Sequence, residues 1–362
     1  MKITVITPCF AYSGVPLAQT RFARALAKRA HDVELIIGFV DKKYTLPTIQ
    51  GVSVSVWNKS RVLSMLFPLI KYLKTSKPDV VFSAEDHLNS IVLLALILSG
   101  SKAKFSGSSR VTPYDTYINK NFPKGWILKQ LMKAIMWRAN VLTCVSKDMV
   151  LQYQKIFKNP HHLAVYNIVD DVASREKMTE PVKHPWLIKK ELPVIIAAGQ
   201  IEPWKDFATL ISAIKYLHKK SLVRLIILGE GSLRNELQEL AKNFGIGDFV
   251  CFEGQVKNPL KYFVYSDIFV LSSLVEGLPN VLVEAMMCGC TPVATDCPTG
   301  PREVLEDGKY GYLVPMGDPE TMAKAILQAI DKPIPAKILA EKVKEFEENT
   351  IIDRHFDLLG IK

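Results

Sequence analysis

The sequence predicts an α/β protein built on parallel sheets and divided into two domains. Three observations carry that reading. Residues 267–296, DIFVLSSLVEGLPNVLVEAMMCGCTPVATD, run as apolar strand, turn, helix and second apolar strand, the repeating unit of a parallel sheet. At 362 residues the chain exceeds one ordinary domain, and the polar stretch 171–190, with Pro181 and Pro185, supplies a boundary and a hinge. Charge divides at the same place: residues 1–170 carry +14 and residues 171–362 carry −4 of the net +10.

A content of 48% hydrophobic and 23% charged residues gives ample core-forming material and excludes a disordered chain. Charge alone suggests nucleic-acid binding, but no aromatic-rich or helix-turn-helix module accompanies it, so no nucleic-acid partner is expected. Of the cysteines at 9, 144, 251, 288, 290 and 297, none forms a CxxC pair, and Cys288 and Cys290 are too close for a zinc site. Most sit in apolar runs, which implies buried, reduced thiols and a cytoplasmic location. No signal peptide is read at the N-terminus. The longest apolar run, 90–99, is a buried helix too short to span a bilayer.

In order, 2–7 (KITVIT) is a buried first strand and 8–16 a loop holding Ser13 and Gly14. A helix over 17–30 carries Phe22, Ala25, Leu26 and Ala27 between basic residues, and 33–38 is the second strand. Residues 61–77 place Leu63, Met65, Leu66, Phe67, Leu69 and Ile70 among cations. Residues 78–83 and 104–108 are further strands. Residues 126–138 (WILKQLMKAIMWR) are helical, with Ile127, Leu131, Ile135 and Arg138 near one face and Lys120, Lys124, Lys129 and Lys133 adding charge. Two readings stand for these basic amphipathic segments: docking on an anionic membrane surface, or packed helices with a solvated basic face. The +14 balance favours the membrane. Residues 138–146 give a strand with its lead-in, and Ser146 is placed to cap the next helix.

In the second half, 193–199, 224–228, 249–252, 268–273 and 291–295 are strands, and 233–244, 279–287, 320–330 and 336–346 are helices. Gly245 and Gly289 stop two of these, and Pro279 fits the first helical position of another. The loop before Pro279 has a specific chemistry. Backbone N–H groups at a helix start favour phosphate, yet Glu276 lies in that loop and Glu284 eight residues on. Carboxylates are poor phosphate ligands and good acceptors for hydroxyls, so the ligand implied carries both, as a sugar nucleotide does. The plainer alternative is a helix-capping acid and a helix-face glutamate.

Glu276 and Glu284 match the Glu-x7-Glu motif of retaining GT-B glycosyltransferases, and EGLPNVLVEAM and ATDCPTGPREVL resemble family 4 of that group. The resemblance runs from residue 1 to about 330. It implies the GT-B architecture, two Rossmann-like doubly wound domains facing across a cleft. Residues 1–170 would bind the acceptor, 171–190 form the hinge, 191–334 bind the sugar nucleotide, and 335–362 include a helix crossing back. It also makes 165–170 (VYNIVD) the last strand before the hinge.

The resemblance assigns Gly14, Gln200, Lys205, Gly231, Val256, Glu276, Gly277, Leu278, Pro279, Asn280, Val281 and Glu284 to the donor, and Lys205, Glu276 and Arg110 to catalysis. Three positions depart from the pattern. The first loop keeps one glycine, Gly14, either a close-approach point or a plain turn. Gln200 stands where the family has an arginine, leaving Lys205 as the diphosphate's cation, with Arg110 or Arg302 as substitutes. Arg110 stands where the family offers a histidine: it contacts donor or acceptor, neutralises the leaving diphosphate, or is a surface cation. His87 is a weaker candidate nearby.

The implied reaction is same-face transfer of a hexose or N-acetylhexosamine, with UDP as the donor's nucleotide. The acceptor is a saccharide or polyprenyl-diphosphate-linked saccharide at the cytoplasmic membrane face, in surface-glycan assembly. Glu276 orients sugar hydroxyls and Glu284 the ribose. No Asp-x-Asp motif is present, so no metal or other cofactor is expected. A non-catalytic sugar-nucleotide-binding protein and a GT-B epimerase remain as alternatives.

Overall fold

The computed structural model describes every residue except 12–13, 43, 47, 120–122, 159–161 and 362, together with the side chains of 115 and 119. Ser13 and Lys120 thus lie outside the described residues. Two compact units emerge, Met1–Ile168 with Glu348–Lys362, and Val169–Glu347.

The first unit holds strands β1 (Lys2–Phe10), β2 (Asp32–Val40), β3 (Val52–Val56), β4 (Val80–Ala84), β5 (Lys104–Ser109), β6 (Val141–Cys144) and β7 (His162–Ala164). They form one sheet in the order β3-β2-β1-β4-β5-β6-β7, with every pairing parallel. Central strands of such a sheet are covered on both faces, which is why β1 and β4 read as continuous apolar runs. On one face Phe22, Ala25 and Leu26 of helix Gly14–Lys28 share a core with Phe82 and with Ile351, Ile352 and Phe356 of helix Glu348–Leu359. Each fully buried aliphatic or aromatic side chain contributes roughly 1.5–3 kcal/mol. Lys28 pairs with Glu348 at 3.0 Å, and Lys104 donates to the carbonyls of Leu359 and Gly360.

Several expectations shift here. Strand β1 continues through Pro8 to Phe10, and the first helix begins at Gly14, so the loop expected over 8–16 is much shorter. Pro8 lacks an N–H, but the ladder resumes at Cys9↔Phe39. The expected strand 165–170 is extended and buried without a ladder of its own, bonding at Val165 N to Cys144 O and at Val169 N to Phe346 O. Residues 61–77 split into a 3-10 turn, Val62–Met65, and a helix, Leu66–Ser76. Helix Lys124–Ile135 buries Gly125, Met132 and Ile135, and leaves Ile127 exposed, because its buried side is rotated from the face expected. Leu63, Phe67 (79% exposed), Trp126 and Trp137 (70% exposed) are also left to solvent.

The second unit holds β8 (Val194–Ala198), β9 (Arg224–Leu228), β10 (Val250–Gly254), β11 (Ile268–Leu271), β12 (Thr291–Thr295) and β13 (Tyr312–Val314). They are parallel, in the order β10-β9-β8-β11-β12-β13. Strand order reverses between β8 and β11, the doubly wound arrangement in which ligands bind beyond the carboxyl ends of the strands. Leu210, Ile211 and Ile214 of helix Phe207–Leu217 and Met322, Ile326 and Ala329 of helix Pro319–Asp331 cover the sheet's core. The stretch 171–190 carries two short helices, Val172–Met178 and Pro185–Ile188, capped by Asp171 and His184. Of residues 335–362, helix Ala336–Val343 groups with the second unit and helix Glu348–Leu359 with the first. Among the described residues no helix is long and apolar enough to cross a membrane. All six cysteines are free.

Candidate functional site

Strands β8 and β11 are neighbours, so the segments after them emerge side by side where strand order reverses. After β8 comes the 3-10 turn Pro203–Lys205, and after β11 the loop holding Ser272, Ser273 and Glu276. The two are laced together: Ser272 Oγ donates to Lys205 O at 2.7 Å and Leu274 N donates to Trp204 O at 2.8 Å. This brings Lys205 Nζ to 2.5 Å from Glu276 Oε1, with side-chain exposures of 17% and 11%. Ser273 Oγ donates to the same carboxylate oxygen at 2.7 Å. Thr299 Oγ1 donates to Glu276 O, and Thr295 Oγ1 holds Ser273 O at 2.5 Å. A cation and a carboxylate are thus fixed in a polar niche, with Cys297 buried nearby. Burial first, and then the Glu276 charge, pushes the Cys297 thiol up to about 12.

Pro279 ends the loop one residue before the helix, with φ −77° and ψ 82°, so Asn280 and not Pro279 is the first helical residue of Asn280–Met287. Leu278 and Pro279 are buried, while Gly277, Asn280, Val281 and Glu284 are half-buried. Burial, and then the Glu284 charge, raises the thiol of Cys288 one turn further on. Gly300, at φ 95°, lets its strand end pass the loop: a Cβ there would lie 2.6 Å from Pro279 Cδ and 3.0 Å from Gly277 O.

Gly231 also answers a close approach, but to the chain's own backbone. A Cβ at this position would sit 2.2 Å from Ile201 O. Ile201 N donates to Glu230 O at 2.9 Å and Leu233 N to Ile201 O at 3.1 Å, so the turns after β8 and β9 form one backbone unit. Gln200 is exposed beside it, and Val256 is half-buried in the turn after β10. Arg302 is committed elsewhere: it pairs with Asp296 and, at 3.0 Å, with Asp307.

Gly14 and Arg110 belong to the first unit. Gly14 opens its helix, exposed, and is therefore not a plain turn; among the described residues nothing lies within 4 Å of a Cβ placed there. Arg110 follows β5, and its Nε and Nη1 are buried, which excludes the surface-cation reading. Burial lowers its pKa to about 10, opposed by the carboxylate of Glu85. His87 lies 3.1 Å from that carboxylate.

Sequence reasoning missed Ser273, Thr299 and Glu85. Glu85 directly follows a strand, where a polar residue is a usable signal; Ser273 and Thr299 lie two and four residues past theirs and carry no such signal. Outside the site, His184, Cys251 and Glu253 present three metal-type ligand atoms within 4.8 Å of one another. His184 Nδ1 accepts from Trp186 N at 3.2 Å, which leaves the neutral ring's proton on Nε2, the atom facing Cys251 at 3.5 Å. That tautomer suits a hydrogen-bonded cluster better than a metal ligand.

Residues 12–171 match the family model described as Glycosyltransferase Family 4, and residues 179–350 match the one described as Glycosyl transferases group 1. An uncharacterized glycosyltransferase of Methanocaldococcus jannaschii is 31% identical over 68% of this chain and 62% of its own length. The N-acetylgalactosamine-N,N'-diacetylbacillosaminyl-diphospho-undecaprenol 4-alpha-N-acetylgalactosaminyltransferase of Campylobacter jejuni is 28% identical over 78% of this chain and 76% of its own. Among solved structures, Anabaena Alr3699/HepE in complex with UDP superposes with a TM-score of 0.79 at 18% identity, covering 99% of this chain and 100% of that one. With two doubly wound units and matches that together span nearly its whole length, the chain belongs to the GT-B glycosyltransferases of the family 4 type, glycosyl transferases group 1.

Proposed function

We propose that this protein transfers a hexose or N-acetylhexosamine from a UDP-sugar to a saccharide or polyprenyl-diphosphate-linked saccharide, with retention and without a metal. The observation that carries this reading is the Lys205–Glu276 pair, fixed where strand order reverses in the second unit. Sugar–phosphate cleavage puts negative charge on the leaving diphosphate. Lys205 supplies a compact positive charge for it, and the amides at the start of helix Asn280–Met287 add their dipoles. A donor arriving at Lys205 releases Glu276 to accept hydrogen bonds from sugar hydroxyls, while Glu284 serves the ribose. Gln200, Gly231, Val256, Gly277, Leu278, Pro279, Asn280 and Val281 line the donor's path. Arg110, buried in the first unit, serves the reaction from the acceptor's side.

Two likenesses support the substrates. HepE is described in complex with UDP, and the Campylobacter relative's name specifies a diphospho-undecaprenol-linked substrate. Phe67, Trp126 and Trp137, exposed on a unit rich in Lys and Arg, support seating on the anionic cytoplasmic face of a membrane.

The test incubates the protein with UDP-, GDP- and ADP-sugars, with and without EDTA and with lipid extract, beside Glu276→Ala. Released nucleotide and the anomeric configuration of the product are recorded. EDTA-insensitive release from a UDP-sugar, lost in the variant and giving a product with the donor's anomeric configuration, is the expected result. Donor binding with no turnover in any mixture would favour the non-catalytic reading, and a changed sugar without acceptor would favour epimerisation.

A further inference from the structure

The first sheet has its own reversal of strand order, between β1 and β4. Cys9 near the end of β1, Glu85 after β4 and Arg110 after β5 stand at the carboxyl ends of three adjacent strands. That is where a doubly wound sheet takes a ligand, and no donor role accounts for Glu85.

The backbone that carries Glu85 and Arg110 is unusually well fixed. Glu85 N donates to Ser108 O at 2.9 Å, and Asn89 Nδ2 donates to the same carbonyl at 3.1 Å. The residue after Glu85, Asp86, is buried and accepts from Ser109 Oγ at 2.6 Å and from Tyr153 OH. Ser109 in turn precedes Arg110. Glu85 itself is held at φ 79° and ψ 133°, a conformation that side-chain-bearing residues keep only when their surroundings impose it.

With this support, the two side chains still do not satisfy one another. Among the described residues Glu85 pairs with His87 at 3.1 Å and forms no ion pair with Arg110, whose Nε and Nη1 are buried without a hydrogen-bond partner. Buried donors left in that state are uncommon and costly. The chemistry that satisfies both ends is a neutral hydroxyl, which donates once and accepts at the same oxygen. A phosphate would answer Arg110 and meet Glu85 as a like charge, and an amine would do the reverse.

We propose that Glu85 and Arg110 form a subsite for a hydroxyl of the acceptor saccharide, the hydroxyl donating to the Glu85 carboxylate and accepting from an Arg110 N–H. This rests on the glycosyl-transfer reading above. The second unit supplies its own polar niche for the donor, so the first unit's is assigned to the other substrate.

The geometry makes acceptor use depend on pH. Burial, with Asp86 adding and Arg110 opposing, raises the Glu85 carboxyl to about 7. The other groups around it are neutral. Burial raises the Cys9 thiol and lowers His87, and behind Arg110 burial lowers His355 to about 3. Acceptor affinity therefore falls as the pH drops through about 7 and Glu85 takes up a proton.

The experiment compares wild type, Glu85→Gln and Glu85→Gly. It uses calorimetry with UDP and UDP-N-acetylglucosamine, and transfer kinetics with a polyprenyl-diphosphate-linked N-acetylhexosamine from pH 6 to 8.5. Loss of a hydrogen bond to a charged group should raise the acceptor KM by about 10- to 100-fold in both variants. Binding of UDP and UDP-N-acetylglucosamine should be unchanged, and the loss of activity below pH 7 should disappear. Glu85→Gly should also melt higher than wild type, because glycine accepts φ 79° without strain; a residue that only capped the helix would keep the wild-type KM in this variant. Unchanged KM and pH profile in a wild type and variants that all transfer would overturn the subsite alone. Weakened UDP-N-acetylglucosamine binding with an unchanged acceptor KM would overturn its assignment to the acceptor. A wild type that neither binds nor turns over a sugar nucleotide would remove the transfer reading, and the subsite with it.

Discussion

Lys205 and Glu276 are 71 positions apart in the chain, and their charged ends meet at 2.5 Å beyond the carboxyl ends of the second sheet's two central strands. The pair is a resting arrangement in which each group satisfies the other until a ligand with both phosphate and hydroxyls divides them. Lys205→Met should lower kcat by about 10²–10³, the cost of removing one stabiliser of developing charge. Glu276→Gln should lower it as well, and the double variant should lose less than the two single losses combined, since the groups act as a unit. Initial rates for the four proteins check this, and fully additive losses would show that the pair is not functionally coupled.

Gly231 predicts a stability effect with a functional consequence. In Gly231→Ala the new methyl meets Ile201 O at 2.2 Å, and backbone cannot yield as a side-chain end does. A destabilisation of about 1–3 kcal/mol is expected, with weakened UDP binding because the turns after β8 and β9 must part. Chemical denaturation with a UDP titration tests both, and a variant as stable as wild type would count against the backbone contact.

A half-buried and a buried group of the first unit give opposite pH dependences. His355 is lowered to about 3 by burial, then by Arg110 and Arg354, from an ordinary value of 6.5. The unfolded chain therefore binds a proton that the folded chain refuses, and this contribution to stability is whole above pH 6.5 and is lost as the pH falls toward 3. Glu85 is raised to about 7 from 4.5, so the folded chain holds a proton that the unfolded chain releases, and stability is gained as the pH falls from 7 toward 4.5. Between pH 7 and 5 each amounts to about 2 kcal/mol, with opposite sign. The wild-type stability curve should be nearly flat over that interval. In His355→Phe, which fills the space beside Phe22 and Phe82, stability should instead rise by about 2 kcal/mol on acidification. Urea titrations at the two pH values decide it, and parallel curves for the two proteins would refute the assignment to His355.

Phe67→Ser with Trp137→Ser should reduce co-sedimentation with vesicles containing phosphatidylglycerol, leaving UDP binding and melting temperature unchanged. Both side chains are exposed at 79% and 70% and contribute little to the core. Equal sedimentation of variant and wild type would assign these residues to an ordinary solvated face.

The regular parts of the fold were legible because their signals are local. Strands 224–228 and 291–295 appear at the predicted positions, Gly289 stops its helix at φ 89°, and Ser146 caps the next one by accepting from Met149 N at 3.3 Å. Where the reading failed, burial and hydrogen bonding had come apart. Residues 165–170 are largely buried, yet they form only isolated pairings, Val165 N to Cys144 O at one end and an Asp170–Glu347 bridge at the other, and no strand of their own. Strand Val52–Val56 was overlooked because an edge strand of alternating Val and Ser buries little. At the site, Lys205 and Glu276 were named from the resemblance, but their pairing depends on the adjacency of β8 and β11, which no local pattern encodes. The conformation of Glu85 was likewise invisible: its N–H is held by Ser108 O, 23 positions away on the neighbouring strand.

The place of helix Glu348–Leu359 bears on how the protein is made. Its Ile351, Ile352 and Phe356 complete the core around Phe22 and Phe82, yet they are synthesised after every residue of the second unit. On the ribosome the first sheet must wait, with the part of one face beside helix Gly14–Lys28 uncovered, while residues 169–347 emerge and can close as a contiguous domain. The unit begun first is thus the last to be finished, and through that interval it is the part of the nascent chain most in need of a chaperone.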